Sequence, residues 1–286
     1  MKVTLLGVGL MGQAISERLL KKQQTLTVFN RSSEKTTVIT AQGASTSQSA
    51  QQAIDASDYC LLLLSDAQAI SAVLDTVEVN HFFGKYFIQM GTIAPEESRE
   101  LEKYIQQRRG FYLECPVLGS LPEARTGTLI LMAAGEKMTY QACLPVLNIL
   151  GKNPRFFGPS GQAATVKLAM NQLIAGLTSS FSLSLSLIEK EAVDVDQFME
   201  VVRSSALYAP TFDKKLDRML QRDFSNPNFP SKHLSKDIKL FLDVAKQLGL
   251  NTSALEGIDQ LLDKTIELDL ANTDYSAIHA AINSDN

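Results

Sequence analysis

The chain has 286 residues, 45% of them hydrophobic and 20% charged, with a formal net charge of −4. This length and composition allow a sizeable buried core and favour two ordinary domains over one large one. Lys plus Arg against Asp plus Glu stands at 15 to 14 in residues 1–160 and at 12 to 17 in residues 161–286, so no basic face is offered to nucleic acid.

In chain order, residues 1–160 alternate short aliphatic or β-branched runs with helical patterns. The runs are "KVTLLGV", "TLTVFN", "DYCLLLL", "KYFIQMG", "GFYLECPV" and "TLILMAAG". Such alternation predicts βαβ units on a parallel sheet. After "NPRFFGPSG" the strand signals stop and the rest reads as helix. The expected organisation is therefore a parallel-sheet α/β domain over residues 1–160 and an all-helical domain over 161–286. A long helix from about Gln162 to about Lys190 opens the second, with Gly176 as its one breaker. Further helices are expected near 194–205, 209–222, 231–249, 252–270 and 274–283, and only the closing "NSDN" reads as frayed.

From 168 to 188 the chain is apolar enough to raise the question of a membrane span, but serines, Asn171 and Gln172 interrupt it. A buried helix of a soluble protein explains the same composition. The opening "MKVTLLGVG" places glycines where a signal peptide would keep an apolar core, so no export is expected. Cys60, Cys115 and Cys143 are odd in number and widely spaced. They read as core thiols of a reducing compartment, and a cytoplasmic location is expected. His81, His233 and His279 are scattered, and no metal site is expected.

"GVGLMG" sets Gly7, Gly9 and Gly12 at G-x-G-x-x-G spacing between a strand and an amphipathic helix. Gly7 permits the tight turn, Gly9 lets backbone approach a pyrophosphate, and Gly12 lets helix pack on strand. Val8, Leu10 and Met11 belong to the same cradle. The second strand ends in Asn30, Arg31, Ser32 and Ser33, where a carboxylate would select an unphosphorylated ribose. A guanidinium instead grips a 2′-phosphate, so the expected cofactor is NADPH. The plain alternative is a solvated arginine in a turn where Ser32 or Ser33 caps a helix. Leu64, Ser65 and Thr92 lie at later strand ends that face the same crevice, although "APEES" after Thr92 also reads as a helix start.

Lys167 is the one charge between Phe156 and Ile188. Asn171 follows it by one helical turn, so both project from one face beside Ala163, Ala164, Met170 and Ile174. A lysine there either snorkels to solvent or protonates an alkoxide that forms when a carbonyl accepts hydride.

Taken together, "LLGVGLMG", "GTIAPEES", "CPVLGSLPEARTGTLILMAAG", "GQAATVKLAMNQ", "SKDIKL" and "TDYSAI" resemble the β-hydroxyacid dehydrogenase family, which includes 3-hydroxyisobutyrate dehydrogenases and glyoxylate/succinic semialdehyde reductases. The resemblance implies an α/β Rossmann-like N-terminal domain and an all-helical C-terminal domain joined by a long interdomain helix, with Lys167 as catalytic lysine and Asn171 beside it, Thr92 as a cofactor contact, and Lys236 as a lysine closing over cofactor and substrate. It also implies homodimers or homotetramers built through the helical part. From chemistry alone Lys236 would read as a surface charge.

Two positions depart from the family's usual pattern. Leu118 stands in "PVLGS" where a serine commonly helps hold a substrate carboxylate, and Gly91 precedes Thr92 where a serine is frequent. The amides of Gly119 and Ser120, with the Ser120 hydroxyl, remain to cradle a carboxylate. The expected activity is NADPH-dependent reduction of a small aldehyde or keto acid of the glyoxylate or succinic semialdehyde type. The alternatives are a 3-hydroxyisobutyrate-type dehydrogenase, an imine reductase, and a non-catalytic NADPH-binding sensor.

Overall fold

A computed structural model of the chain describes residues 1–284. The chain divides into two compact units, the first ending at Lys167 and the second beginning at Leu168.

In the first unit, strands β1 (Lys2–Leu6), β2 (Thr25–Phe29), β3 (Ser45–Thr46), β4 (Tyr59–Leu62), β5 (Tyr86–Gln89) and β6 (Phe111–Glu114) alternate with helices α1 (Leu10–Lys21), α2 (Thr37–Ala41), α3 (Ala50–Asp55), α4 (Ala67–Leu74) and α5 (Pro95–Gln107). The sheet order is β3-β2-β1-β4-β5-β6, all parallel. It continues through β8 (Ile130–Gly135) to β7 (Val117–Leu118), with β9 (Arg155–Phe156) on β8. Helix α6 (Leu121–Thr126) lies between β7 and β8, and α7 (Lys137–Leu150) follows β8.

The central strands are largely apolar and buried because both faces are covered. Alternate residues segregate as a pleat requires: Val3, Leu5, Val28, Leu61, Ile88 and Leu113 enter one core, while Leu6, Cys60, Leu62, Phe87 and Tyr112 enter the other. The expectation of a parallel sheet fails at one place. Strand β8 runs antiparallel to both β6 and β7. The run "GFYLECPV" spans two strands, β6 and β7, that run in the same direction with only Cys115 and Pro116 between them, and the short link from β7 to β8 holds no helix but the six residues of α6 to make a crossover. At ~1.5 Å per residue that helix spans about 9 Å, too short to return the chain along a full strand.

Helix α8 (Gln162–Lys190) begins in the first unit and continues into the second without a break at Gly176. In the second unit it is covered by two apolar clusters. Ala175 packs with Leu234, Ile238, Leu262 and Ile278, and Phe181 and Leu185 pack with Met199, Phe212 and Met219. Those partners come from α9 (Val195–Ser204), α10 (Pro210–Leu220), α11 (Ser231–Gln247), α12 (Ser253–Glu267) and α13 (Ile278–Ile282). The stretch read as one helix over 274–283 is instead a 3-10 turn, Tyr275–Ala277, followed by α13. The Asp274 carboxylate accepts from the Ser276 N–H and from Lys215 Nζ at 2.7 Å, which pins this turn to α10.

The "NSDN" end is not frayed at its start. Asn283 is buried and its amide donates to Glu189 Oε2 at 3.1 Å, whereas 285–286 lie outside the described residues. Leu173, Leu177, Leu183 and Leu187 form an exposed stripe along α8. No helix among the described residues is long and apolar enough to cross a membrane.

Candidate functional site

The glycine-rich loop follows β1 directly. Gly7 has φ of +104°, and its N–H donates to the Phe29 carbonyl at 3.0 Å. A Cβ there would collide with the Leu63 carbonyl, and one at Gly12 would collide with the Gly7 carbonyl. The protein itself therefore requires both glycines. Gly9 differs: a Cβ built on it meets nothing within 4 Å. Gly9 is also the N-cap of α1, where no side chain caps and no acidic residue occupies the first turn.

An uncapped helix end presenting bare N–H groups across open space is a cradle for a phosphate. The glycine loop thus fits the nicotinamide dinucleotide that its spacing implies. Val8 and Gly12 are buried, Met11 is half-buried and Leu10 is exposed at the mouth of this loop.

Asn30 does more than border the crevice. Its Oδ1 accepts from the Val8 N–H at 3.0 Å and its Nδ2 donates to the Ser32 carbonyl at 2.9 Å. One side chain therefore ties the phosphate loop to the turn that carries Arg31. Arg31, Ser32 and Ser33 are exposed. Ser32 sits at the N-cap of a short 3-10 turn but makes no capping bond with its side chain, so the ordinary capping explanation for its hydroxyl does not hold.

Leu64, Ser65, Gly91 and Thr92 lie just past β4 and β5. Ser65 Oγ donates to Asp66 Oδ2 at 2.7 Å, and Asp66 Oδ1 caps α4 through the Ala69 N–H. A Cβ on Gly91 would stand 2.7 Å from the Leu64 carbonyl oxygen. A serine here would need the neighbouring backbone to move, which accounts for the missing hydroxyl. Helix α5 starts at Pro95 with Ala94 as its N-cap, two residues past Thr92.

Leu118 is half-buried and packs in an apolar cluster with Ala163 and Val166 of α8. Gly119 has φ of +136°. The Ser120 N–H and hydroxyl both donate to Glu123 Oε2, at 2.8 and 2.5 Å. Both Ser120 donors expected to cradle a substrate carboxylate thus already hold one from the chain itself. The pattern Ser120-Leu-Pro-Glu123 is a legible capping box, and it was the signal that could have revealed this.

Lys167 is half-buried on α8. The start of that helix is fixed by a residue that sequence reasoning missed, Glu114, which is completely buried at the end of β6. The N–H of Gly161 donates to Glu114 Oε2 at 2.6 Å, and that of Ala164 donates to Oε1.

Within the second unit, Asn171 is completely buried and its Nδ2 donates to Asp237 Oδ2 at 2.6 Å. Lys236 Nζ lies 2.7 Å from Asp237 Oδ1. Asp237, 2% exposed, therefore brings Asn171 and Lys236 together. It too was missed, because a carboxylate beside a lysine in sequence reads as a solvated surface pair.

The three cysteines are free and buried; burial pushes Cys60 and Cys143 up to about 12 and raises Cys115 further, so all three are inert thiols. Among the described residues, no three His, Cys, Asp or Glu side chains gather as metal ligands.

Comparison with known proteins agrees with this geometry. Residues 2–159 match the family described as the NAD binding domain of 6-phosphogluconate dehydrogenase, and residues 161–282 match the NAD-binding family of NADP-dependent 3-hydroxyisobutyrate dehydrogenase. The chain is 32% identical over 285 residues to glyoxylate/succinic semialdehyde reductase 1 of Arabidopsis thaliana, covering 99% of this chain and 98% of that one. It is 29% identical to the chloroplastic reductase 2 of the same plant, covering 97% and 78%. The fold is similar to that of Mycobacterium tuberculosis 3-hydroxyisobutyrate dehydrogenase, solved with L-serine, at a TM-score of 0.89, 20% identity and 99% coverage of both chains. The glycine loop, the sheet order and these full-length matches agree: the chain belongs to the NAD(P)-dependent β-hydroxyacid dehydrogenase family.

Proposed function

We propose that the protein is an NADPH-dependent reductase of a small aldehyde or keto acid, of the glyoxylate or succinic semialdehyde type, with Lys167 as proton donor. Residues 1–160 hold the nucleotide, and residues 161–286 contribute to substrate binding and to assembly. When bound, NADPH supplies a hydride from its nicotinamide ring.

The chain's own residues do the rest. The bare amides of the α1 end and Gly9 bind the pyrophosphate, with Val8, Leu10, Met11 and Leu64 around it. Arg31 and Ser32, held to the phosphate loop by Asn30, grip the 2′-phosphate. Ser65 and Thr92 line the strand ends, and Lys236 adds positive charge toward the cofactor. As the carbonyl oxygen gains charge, the Lys167 ammonium stabilises it and gives up a proton. Asn171, one helical turn farther along the same helix and bound through its amide nitrogen to Asp237, is the residue we assign to orient that ammonium.

The observation that carries this reading is that Lys167, the one charge between Phe156 and Ile188, sits on a helix whose start is anchored to the sheet by a buried acid. The exposed leucine stripe on α8 supports assembly into a homodimer or homotetramer. The buried free thiols support a reducing, cytoplasmic setting.

A second reading, reduction of a C=N bond, is favoured by one observation: Leu118 packs away as core and Glu123 already occupies the Ser120 donors. That leaves the Leu118–Ser120 segment poorly suited to an anionic substrate.

The test is kcat/KM for glyoxylate, succinic semialdehyde, an uncharged aldehyde and a cyclic imine, each with NADPH and NADH. The expected result is turnover of the aldehyde acids with NADPH preferred. Preference for NADH refutes the cofactor assignment, and turnover of imines alone moves the function to the second reading. Tight NADPH binding with a flat panel supports a non-catalytic sensor.

A further inference from the structure

Helix α8 has an unusual start. Its N-cap position is Gly161, which has no side chain to offer, and the preceding Ser160 is buried with no hydrogen-bond partner for its hydroxyl. The local residues therefore do not cap the helix. Gly161 itself is required, because its φ is +97° and a Cβ would run into the Arg99 guanidinium and stand 3.2 Å from the Pro95 carbonyl oxygen.

In an ordinary capping box two side chains share the work, one accepting from the N3 amide and the other from the N-cap amide. Here Glu114 does both, from 47 and 50 residues away, taking the Gly161 and Ala164 N–H groups on its two oxygens. Its Oε2 also accepts from the Ser98 hydroxyl, which in turn lies 2.7 Å from the Tyr112 hydroxyl. Every member of this chain of bonds is buried: Glu114 and Ser98 completely, Tyr112 to 2% exposed. Two hydrogen bonds at the helix start fix both its rotation and its axial position against β6. Lys167 lies three residues beyond Ala164, about one turn farther on, so its side chain inherits that placement.

We infer that Glu114 is the positioning residue for Lys167, setting where the proton donor stands by clamping the first turn of its helix to the sheet. The inference rests on the proposed role of Lys167. It predicts a division of labour, since the nucleotide cradle is built on β1 and α1 and does not use Glu114.

The experiment compares wild type with Glu114→Gln and Ser98→Ala. Glutamine keeps the shape but replaces one acceptor by a donor, so one of the two helix amides must face another N–H. Ser98→Ala removes one bond to the same carboxylate and is the milder change. Three quantities are read: the NADPH dissociation constant, kcat with its primary isotope effect from 4-deuterated NADPH, and the acylation rate of Lys167 by acetic anhydride, followed by mass spectrometry against exposed Lys137.

For Glu114→Gln the expected result is an NADPH constant within about 2-fold of wild type and kcat at least about 10-fold lower with a larger isotope effect. Lys167 acylation should change at least about 5-fold while Lys137 stays constant. Ser98→Ala should move the same quantities in the same direction by less, and it decides the matter if Glu114→Gln does not fold. A role confined to stability would lower the folded fraction and leave kcat per folded site, the isotope effect and Lys167 acylation unchanged, and that result overturns the inference. If wild type reduces no carbonyl, the proposed function fails while Lys167 acylation still reports on the clamp.

Discussion

Replacing Gly9 or Gly12 by alanine should have opposite consequences, although both belong to one motif. A Cβ on Gly12 would overlap the Gly7 carbonyl oxygen, with the carbonyl carbon at 3.2 Å and Leu5 Cδ2 at 3.4 Å. The obstacle is mostly backbone, so the loop or α1 must shift. Overpacking of this kind costs about 1–3 kcal/mol, offset in part by the better helix propensity of alanine. A net loss of about 2 kcal/mol corresponds to about 4–8 °C in Tm for a unit of this size. A Cβ on Gly9 meets nothing within 4 Å, so Gly9→Ala should cost only the weaker N-cap preference of alanine, ~0.5–1 kcal/mol or roughly 1–4 °C. Its methyl group would instead stand where a pyrophosphate approaches the amides, and NADPH affinity should fall at least about 10-fold, about 1.4 kcal/mol. Scanning fluorimetry of the two apo variants and titration of NADPH fluorescence give both numbers. Wild-type NADPH affinity in Gly9→Ala would refute the reasoning, because that glycine would then have no ligand to admit.

Three further outcomes follow from particular side chains. Arg31→Ala should lower kcat/KM for NADPH by about 10–100-fold, the worth of one or two charge-assisted bonds, and leave NADH within a few-fold; an equal loss with both cofactors would contradict the 2′-phosphate assignment. Asp237→Ala leaves the buried Asn171 amide without its Asp237 bond, which should cost about 1–3 kcal/mol by urea unfolding and raise KM as Lys236 loses its ion-pair partner at 2.7 Å. Because burial holds the Cys60 and Cys143 thiols up at about 12 and Cys115 higher, none should react with an aromatic disulfide reagent at pH 8 until the protein is unfolded in guanidinium, when all three should; one fast thiol in the native protein would refute their burial.

The approximate extent of helix α8 was legible, because no other stretch combines such length with so few charges. The glycine spacing likewise placed a turn and a helix start without ambiguity. What sequence could not supply was which partner a polar group chooses at long range. Glu114 reads as the end of a strand, and only the fold brings it to amides 47 and 50 residues later.

The two departures from the family pattern also changed meaning once packing was visible. Gly91 is the residue that fits against the Leu64 carbonyl, and Leu118 faces Ala163 and Val166 as core. Ser120 and Glu123 were a missed local signal rather than a hidden one. The antiparallel placement of β8 depended on how little chain links it to β7, a matter of a few residues that periodicity does not resolve.

The central claim is that Lys167 delivers the proton, and single-turnover reduction by Lys167→Ala measures it most directly. With NADPH prebound and saturating aldehyde, the account predicts a first-turnover rate lower by about 10²–10⁴-fold, with NADPH affinity and Tm close to wild type. A first-turnover rate within a few-fold of wild type would contradict it.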